Sequence, residues 1–160
     1  CNAIDFLEKN SDVGVVSPRI MEAGFDFGHV IKTYPDCFTL FLRYADIEVL
    51  NKFFSARLEH YACNHLRDAA SKDVLLAGGC FLLMRKYLFE RINGFDDHFF
   101  VYFEDYDLSI RVAVCSKIAY VPKVRIVHMG GHTGSKSLKH HLLFAVSAIK
   151  FFSRHGWKLW

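Results

Sequence analysis

One run of thirteen residues constrains this chain more than any other. Phe99-Phe100-Val101-Tyr102-Phe103 leads straight into Glu104-Asp105-Tyr106-Asp107, and Leu108-Ser109-Ile110-Arg111 follows. Leu108, Val112 and Cys115 recur at i, i+4 and i+7, which predicts a helix starting near Glu104 with three carboxylates crowded into its first turn. Acids at a helix N-terminus meet unpaired N–H groups and the positive end of the macrodipole, worth about 0.3–1 kcal/mol each. Capping therefore explains one or two of them. The large apolar residues directly before them place these carboxylates at the edge of a buried wall, so a catalytic or metal-binding role stands beside the capping one.

Two further segments precede this one in order and at close spacing: Gly78-Gly79-Cys80-Phe81-Leu82-Leu83-Met84-Arg85-Lys86, and Leu88-Phe89-Glu90-Arg91-Ile92-Asn93-Gly94-Phe95-Asp96-Asp97. Together the three resemble the C-terminal half of the family 2 glycosyltransferases of GT-A fold, in particular bacterial enzymes of the rhamnosyltransferase-like kind. Phe6-Leu7-Glu8-Lys9-Asn10 and Asp12-Val13-Gly14-Val15-Val16-Ser17-Pro18-Arg19-Ile20 also look like that family, and the stretch between Met21 and Asp73 matches it less well.

The resemblance implies an α/β fold: the C-terminal portion of a Rossmann-like GT-A domain, a mixed sheet flanked by helices, without the N-terminal nucleotide-binding half and its Asp-x-Asp metal site. Residues 1–160 are then one truncated domain. It also implies an inverting transfer of sugar from a nucleotide-sugar donor to a saccharide or lipid-linked saccharide acceptor in cell-surface polysaccharide synthesis. Carried over residue by residue, Glu104-Asp105 matches the family's Glu-Asp pair, whose aspartate is the catalytic base, with Glu104 and Asp107 as support. Gly78, Gly79 and Cys80 fall on the acceptor side. The His-x-x-Gly-like element maps to His128 as a metal ligand, with Gly131, His132, Ser135 and Lys136 beside the diphosphate. The cofactor implied is Mg²⁺ or Mn²⁺, its main ligands lying in the missing half. Asp105-Tyr106-Asp107 is literally an Asp-x-Asp string, but its flanks match the later, acceptor-side element. The chain alone is accordingly expected to be inactive and to bind nucleotide-sugar weakly or not at all.

Read from residues alone, the remainder is consistent with one domain. A chain of 160 residues that is 52% hydrophobic and 16% aromatic can bury a proper core. A net charge of +3, with cations and acids interleaved, gives no reason to invoke nucleic acid. The five cysteines form neither a CxxC pair nor a compact disulfide spacing, which predicts reduced, mostly buried thiols in a cytoplasmic protein, at or near the inner face of the membrane. No apolar stretch reaches the roughly 18 residues of a membrane span, and no signal-peptide profile opens the record.

Along the chain, Ala3 to Glu8 reads as helix without a capping signal, and Val13 to Val16 as a strand stopped by Ser17-Pro18. Ala23 to Gly28 reads as a turn, with His29 beyond it. Phe38 to Phe54 has Leu40, Phe41, Tyr44, Ile47 and Leu50 at helical spacing, a helical insertion or flap; His60 and His65, five apart, diverge around a helix and are expected to face solvent. Val74 to Arg85 reads as one strand interrupted at Gly78-Gly79, Lys86 to Ile92 as a helix stopped by Asn93-Gly94, and Lys117 to Val127 as an extended piece bent at Pro122. Residues 137–155 form an amphipathic helix whose core face is expected at Leu138, Leu142, Ala145, Val146, Ile149 and Phe152. Its extra aromatics, with Trp157 and Trp160, suit a peripheral membrane contact. The rival to an enzyme is a non-catalytic packing or oligomerisation module derived from the same fold, a homo-oligomer included.

Overall fold

The computed structural model describes residues 2–22, 25–28, 30–66, 68–128 and 138–160, with side chains placed for all but residues 22, 25–28 and 138. In chain order these are α1 (Ala3–Lys9), β1 (Val13–Glu22), β2 (Phe25–Gly28), β3 (Ile31–Lys32), α2 (Cys37–Ala45), α3 (Glu48–Phe53), α4 (Ser55–Tyr61), β4 (Ser71–Val74), β5 (Leu76–Ala77), β6 (Leu83–Met84), α5 (Lys86–Arg91), α6 (Glu104–Ala113), β7 (Lys117–Val127) and α7 (Leu138–His155).

The centre is a parallel pair, β1 beside β7, in register from Val13 opposite Lys117 to Met21 opposite Val127. Val15 and Val16 of β1 and Ile118, Ala119, Tyr120 and Val121 of β7 are all buried, the continuous apolar run of strands covered on both faces. Antiparallel β4 adds to the far edge of β7, while β6 and β2 share the far edge of β1, giving a mixed five-stranded sheet among the described residues. One face packs Val13, Val16, Ala119 and Val121 against Ala3 and Leu7 of α1. The other packs Val15, Ile118 and Tyr120 against Leu88 of α5 and Val112 of α6. The result is an α/β mixed sheet flanked by helices, compatible with a Rossmann-like fold. A separate aromatic cluster joins Leu40, Tyr61, Phe99 and Phe103 to Phe151 and Phe152 of α7.

Several local expectations change. Asn2 does cap α1, accepting the Ile4 N–H at 3.0 Å while Asp5 accepts the Asn2 N–H, a reciprocal capping box. Ser17-Pro18 does not stop β1; the strand continues to Glu22 with a register shift between Pro18 and Arg19, where an irregularity absorbs the missing N–H. Phe25–Gly28 is a strand on β1 rather than turn. The 74–85 stretch is not one strand: it is split among β4, β5 and β6, and β5 pairs with β3 in a ribbon of its own. The helical reading of 38–54 resolves into α2 and α3, broken at Asp46 in the left-handed conformation. Asn93 and Gly94 take positive φ after α5, as their residue types predict.

Helix α7 buries Phe152 as expected but otherwise turns a different face to the core: Ser147 and Phe151 are also buried, whereas Leu142, Val146 and Ile149 are exposed. Among the described cysteines, all free, only Cys63 is fully buried and Cys80 is exposed. No helix among the described residues is long and apolar enough to cross a membrane.

Candidate functional site

The acidic turn is built on strained backbone. Tyr102 and Phe103 both take left-handed φ, 63° and 65°, immediately before α6. Such conformations cost non-glycine residues roughly 1–3 kcal/mol each and persist only where packing over-determines them. Here the packing is aromatic: the Phe103 ring lies 5.2 Å from both Phe144 and Phe151, and Tyr102 lies 5.6 Å from Phe144. The aromatic run before the acids is thus the anchor that lets the chain reverse and present Glu104 and Asp105 at a cleft.

That cleft, of about 230 Å³, is lined by Glu104, Asp105, Arg43, Tyr61 and Tyr106 over an aromatic floor. Asp105 accepts the Gly79 N–H through Oδ2 at 2.8 Å and the Tyr106 N–H through Oδ1 at 2.9 Å. No cation pairs with it among the described residues. Burial therefore wins and pushes its carboxyl up to about 6; the two N–H donors pull the other way, and the charge of Glu104 adds to the rise. Glu104 keeps one carboxylate oxygen, Oε2, buried and without a hydrogen-bond partner. Tyr61 and Tyr106 share a 2.8 Å hydrogen bond between hydroxyls, and burial raises both phenols.

Gly79 sits close against the acid. A Cβ there would stand 3.3 Å from the Asp105 Cβ, so the close approach of this loop to the acid depends on the missing side chain. Ser109 fixes the same loop one residue pair earlier, accepting the Ala77 N–H at 3.1 Å while donating to the Asp105 carbonyl at 2.7 Å. Gly78 donates its N–H to the Val30 carbonyl, and Cys80, exposed as a residue but with its thiol partly desolvated and so raised, also feels the charge of Asp105. The structure therefore gathers Gly79, Cys80, Glu104 and Asp105, the first two from a loop and the second two from a helix start.

Asp107 stands apart. It is fully buried and does not line the cleft; Arg111 Nε donates to its Oδ2 at 2.8 Å, and His155 Nε2 and Arg154 meet its Oδ1 at 2.8 and 3.2 Å. Arg154 also pairs with Asp96, and Arg111 donates to the Ile92 and Gly94 carbonyls, so this acid ties α6 to α7 and to the loop between α5 and α6.

His128 donates its backbone N–H to the Met21 carbonyl at 2.8 Å, at the carboxyl ends of the parallel β1–β7 pair, where open α/β sheets commonly receive ligands. It does not line the carboxylate cleft. Gly131, His132, Ser135 and Lys136, and His29, lie outside the described residues. No group of three or more His, Cys, Asp or Glu converges as a metal site among the described residues. By themselves these residues do not fit the divalent cation that the resemblance implies.

One residue of the site, and a second cation near it, escaped sequence reading. Arg43 is the single charged residue of α2, a lone cation in an aromatic helix, and its guanidinium lies 5.3 Å from the Tyr61 ring. Lys32 of β3 has its amine pushed down to about 8, first by burial and then by the charge of Arg43. The lone arginine was a readable signal; the lysine was not, since β3 meets β5 only in the fold.

No family model matches the chain. It is 34% identical over 86 residues to the N-acetylglucosaminyl-diphospho-decaprenol L-rhamnosyltransferase of Mycobacterium tuberculosis, covering 51% of this chain and 28% of that protein. It is 38% identical over 69 residues to rhamnosyltransferase WbbL of Escherichia coli K12, covering 40% of this chain and 26% of that protein. These matches thus span little more than a quarter of the relatives' length. Over about half of its own length, the chain is related to rhamnosyltransferases, the enzymes among the family 2 glycosyltransferases that its motifs resemble.

Proposed function

We propose that this chain is the acceptor-side, base-bearing part of an inverting glycosyltransferase of GT-A fold that acts in cell-surface polysaccharide synthesis. The donor is a nucleotide-sugar and the acceptor a saccharide or lipid-linked saccharide. The observation that carries this reading is the state of Asp105: lining a cleft, unpaired by any cation among the described residues, and pushed up to about 6. A carboxylate so placed is ionised at neutral pH yet basic enough to take a proton.

In the reaction, an acceptor hydroxyl attacks the anomeric carbon of the donor sugar. Its oxygen forms the new glycosidic bond, its proton passes to Asp105, and the bond to the nucleoside diphosphate breaks with its electron pair leaving on phosphate oxygen. Proton transfer to a positioned carboxylate is typically worth about 10²–10⁴-fold. Gly79 and Tyr106 hold the carboxylate by their N–H groups, and Glu104 lines the same cleft beside it. A divalent cation remains part of the proposal only through ligands supplied together with His128 from outside the described residues, and no step above runs through it.

The test is Asp105→Asn in the complete enzyme. Transfer should fall by at least about 10²-fold while donor affinity stays nearly unchanged. Transfer within twofold of wild type would remove Asp105 from the mechanism. The exposed apolar side chains Phe53, Leu142 and Trp157 favour one alternative, a non-catalytic packing or oligomerisation module. A complete protein that self-associates and shows no sugar transfer would support that reading instead.

A further inference from the structure

Helix α7 turns outward three residues that its periodicity assigned to the core. Leu142, Val146 and Ile149 are exposed, and at 100° per residue they fall within one stripe roughly 60° wide. The stripe continues into an apolar concavity of about 290 Å³ between α2 and α7, where Ile149 stands with Phe41 and Trp157, both also exposed.

The charge around this patch has one sign. The interleaving of acids and bases stops at Asp107: no Asp or Glu follows it, while Lys and Arg continue to Lys158. On α7 itself, Lys139 and Lys150 are exposed within about 40° of Val146 around the helix. Lys150 donates to the exposed His98 carbonyl at 2.9 Å, and neither lysine pairs with a carboxylate among the described residues. Arg154, by contrast, is held by Asp96 and Asp107.

We propose that this face of α7 docks the protein on an anionic lipid surface. Leu142, Val146 and Ile149 enter the interface, and Lys139 and Lys150 meet the headgroup phosphates. An amphipathic helix lying in the membrane plane buries its apolar stripe at the boundary between headgroups and acyl chains while its lysines reach up to the headgroups. Trp157 suits the same depth, with an apolar ring and a polar N–H. A second copy of the chain fits less well. An isologous dimer through α7 would press this face against itself, lysine toward lysine, with no Asp or Glu in the helix to separate them. Because Leu40, Tyr44 and Phe144 line both the concavity and the carboxylate cleft, docking by this face holds the cleft close to the membrane boundary. Docking needs neither Asp105 nor a sugar, so it stands or falls apart from the glycosyltransferase reading.

The full chain at low salt should sediment with vesicles of phosphatidylcholine and phosphatidylglycerol in equal parts, and at least roughly tenfold more weakly with phosphatidylcholine alone. In a Trp160→Phe background, the anionic vesicles should shift the Trp157 emission to the blue. Lys139→Gln with Lys150→Gln should weaken binding to the anionic vesicles about 10–30-fold and leave the weak phosphatidylcholine binding unchanged. Leu142→Gln with Ile149→Gln should weaken binding to both vesicles roughly tenfold or more. All four positions are exposed, and unchanged urea unfolding checks that each variant folds. Lys123→Gln with Arg125→Gln, which removes exposed cations of β7, should change binding by less than about threefold.

An equal loss from the β7 pair would make the contact a diffuse charge attraction and overturn the proposal. So would failure to bind anionic vesicles, or binding that survives loss of the stripe. A chain that ignores vesicles but forms a dimer, dissociated by Leu142→Gln with Ile149→Gln, would assign the face to a second copy instead. Asp105→Asn should bind vesicles as the wild type does, so its effect on transfer bears on the base alone.

Discussion

The raised carboxyl of Asp105 makes a prediction about stability that needs no substrate. Its ordinary value is 3.8 and its folded one about 6, with burial as the main cause. Between about pH 4 and pH 6 the folded chain holds a proton that the unfolded chain has already released, so this group makes stability fall as pH rises through that window. Below the window both states are protonated and the term vanishes; above it the full term persists. At about 1.4 kcal/mol for each pH unit of displacement, the ionised acid costs the folded chain about 3 kcal/mol at pH 8. Asp105→Asn keeps a side-chain oxygen for the Gly79 N–H and removes the charge. The variant should therefore gain on the wild type as pH rises, by about 2 kcal/mol between pH 4.5 and pH 8. Urea unfolding of both proteins, followed by circular dichroism at several pH values, measures the difference, and titration of every other group largely cancels between them. A difference that stays flat across that range, or that runs against the variant as pH rises, would refute the claim that burial governs this acid.

Other expectations follow from the same contacts. In the complete enzyme, kcat/KM should rise with pH to a limb near pH 6 as Asp105 ionises, and a profile flat from pH 5 to 7.5 would contradict it. Asp107→Ala leaves Arg111, Arg154 and His155 without their shared carboxylate and should cost about 3–5 kcal/mol in urea unfolding, whereas a loss below about 1 kcal/mol would mean the network is dispensable. Gly79→Ala brings a methyl to 3.3 Å from the Asp105 Cβ; it should reduce kcat more than stability, because the acid and not the sheet has to give way. Calorimetry of the isolated chain with a nucleotide-sugar should show weak binding or none, and tight metal-dependent binding would place the donor site within these residues.

Much of the frame was legible because it depends on neighbours in sequence. The period of Leu108, Val112 and Cys115 marks α6, Asn93-Gly94 marks the end of α5, and the extended piece from Lys117 to Val127 marks β7. What failed depends on partners far along the chain. Pro18 stays within β1 because β7, about a hundred residues later, absorbs the irregularity. The stretch after Val74 breaks because β5 is claimed by β3 and not by the main sheet. Apart from Phe152, the core face of α7 was misplaced because apolar residues occur around much of the helix. Which of them is buried is decided by Phe99 and Phe103, to which Phe151 turns.

The three acids of α6 show why the site could be located but not resolved from sequence. At 3.6 residues per turn, positions 105 and 107 point about 200° apart, so one acid can face a cleft while the other faces the core. Asp107 meets Arg111 on its own helix and Arg154 and His155 at the end of α7. Asp105 pairs with no cation among the described residues; it accepts N–H groups and feels the charge of Glu104. Identical side chains two residues apart thus acquire different surroundings, because Arg154 and His155, some fifty residues later, meet one and not the other. The arrangement is also economical in consequence: the network that neutralises Asp107 holds α6 against α7, and that hold keeps Phe144 and Phe151 against the strained Tyr102-Phe103 turn. Loss of Asp107 should therefore reach the cleft indirectly, by relaxing the turn that presents Asp105. A milder Asp107→Asn variant that folds should show its defect chiefly as a displaced pH limb, and an unchanged limb would uncouple the two acids.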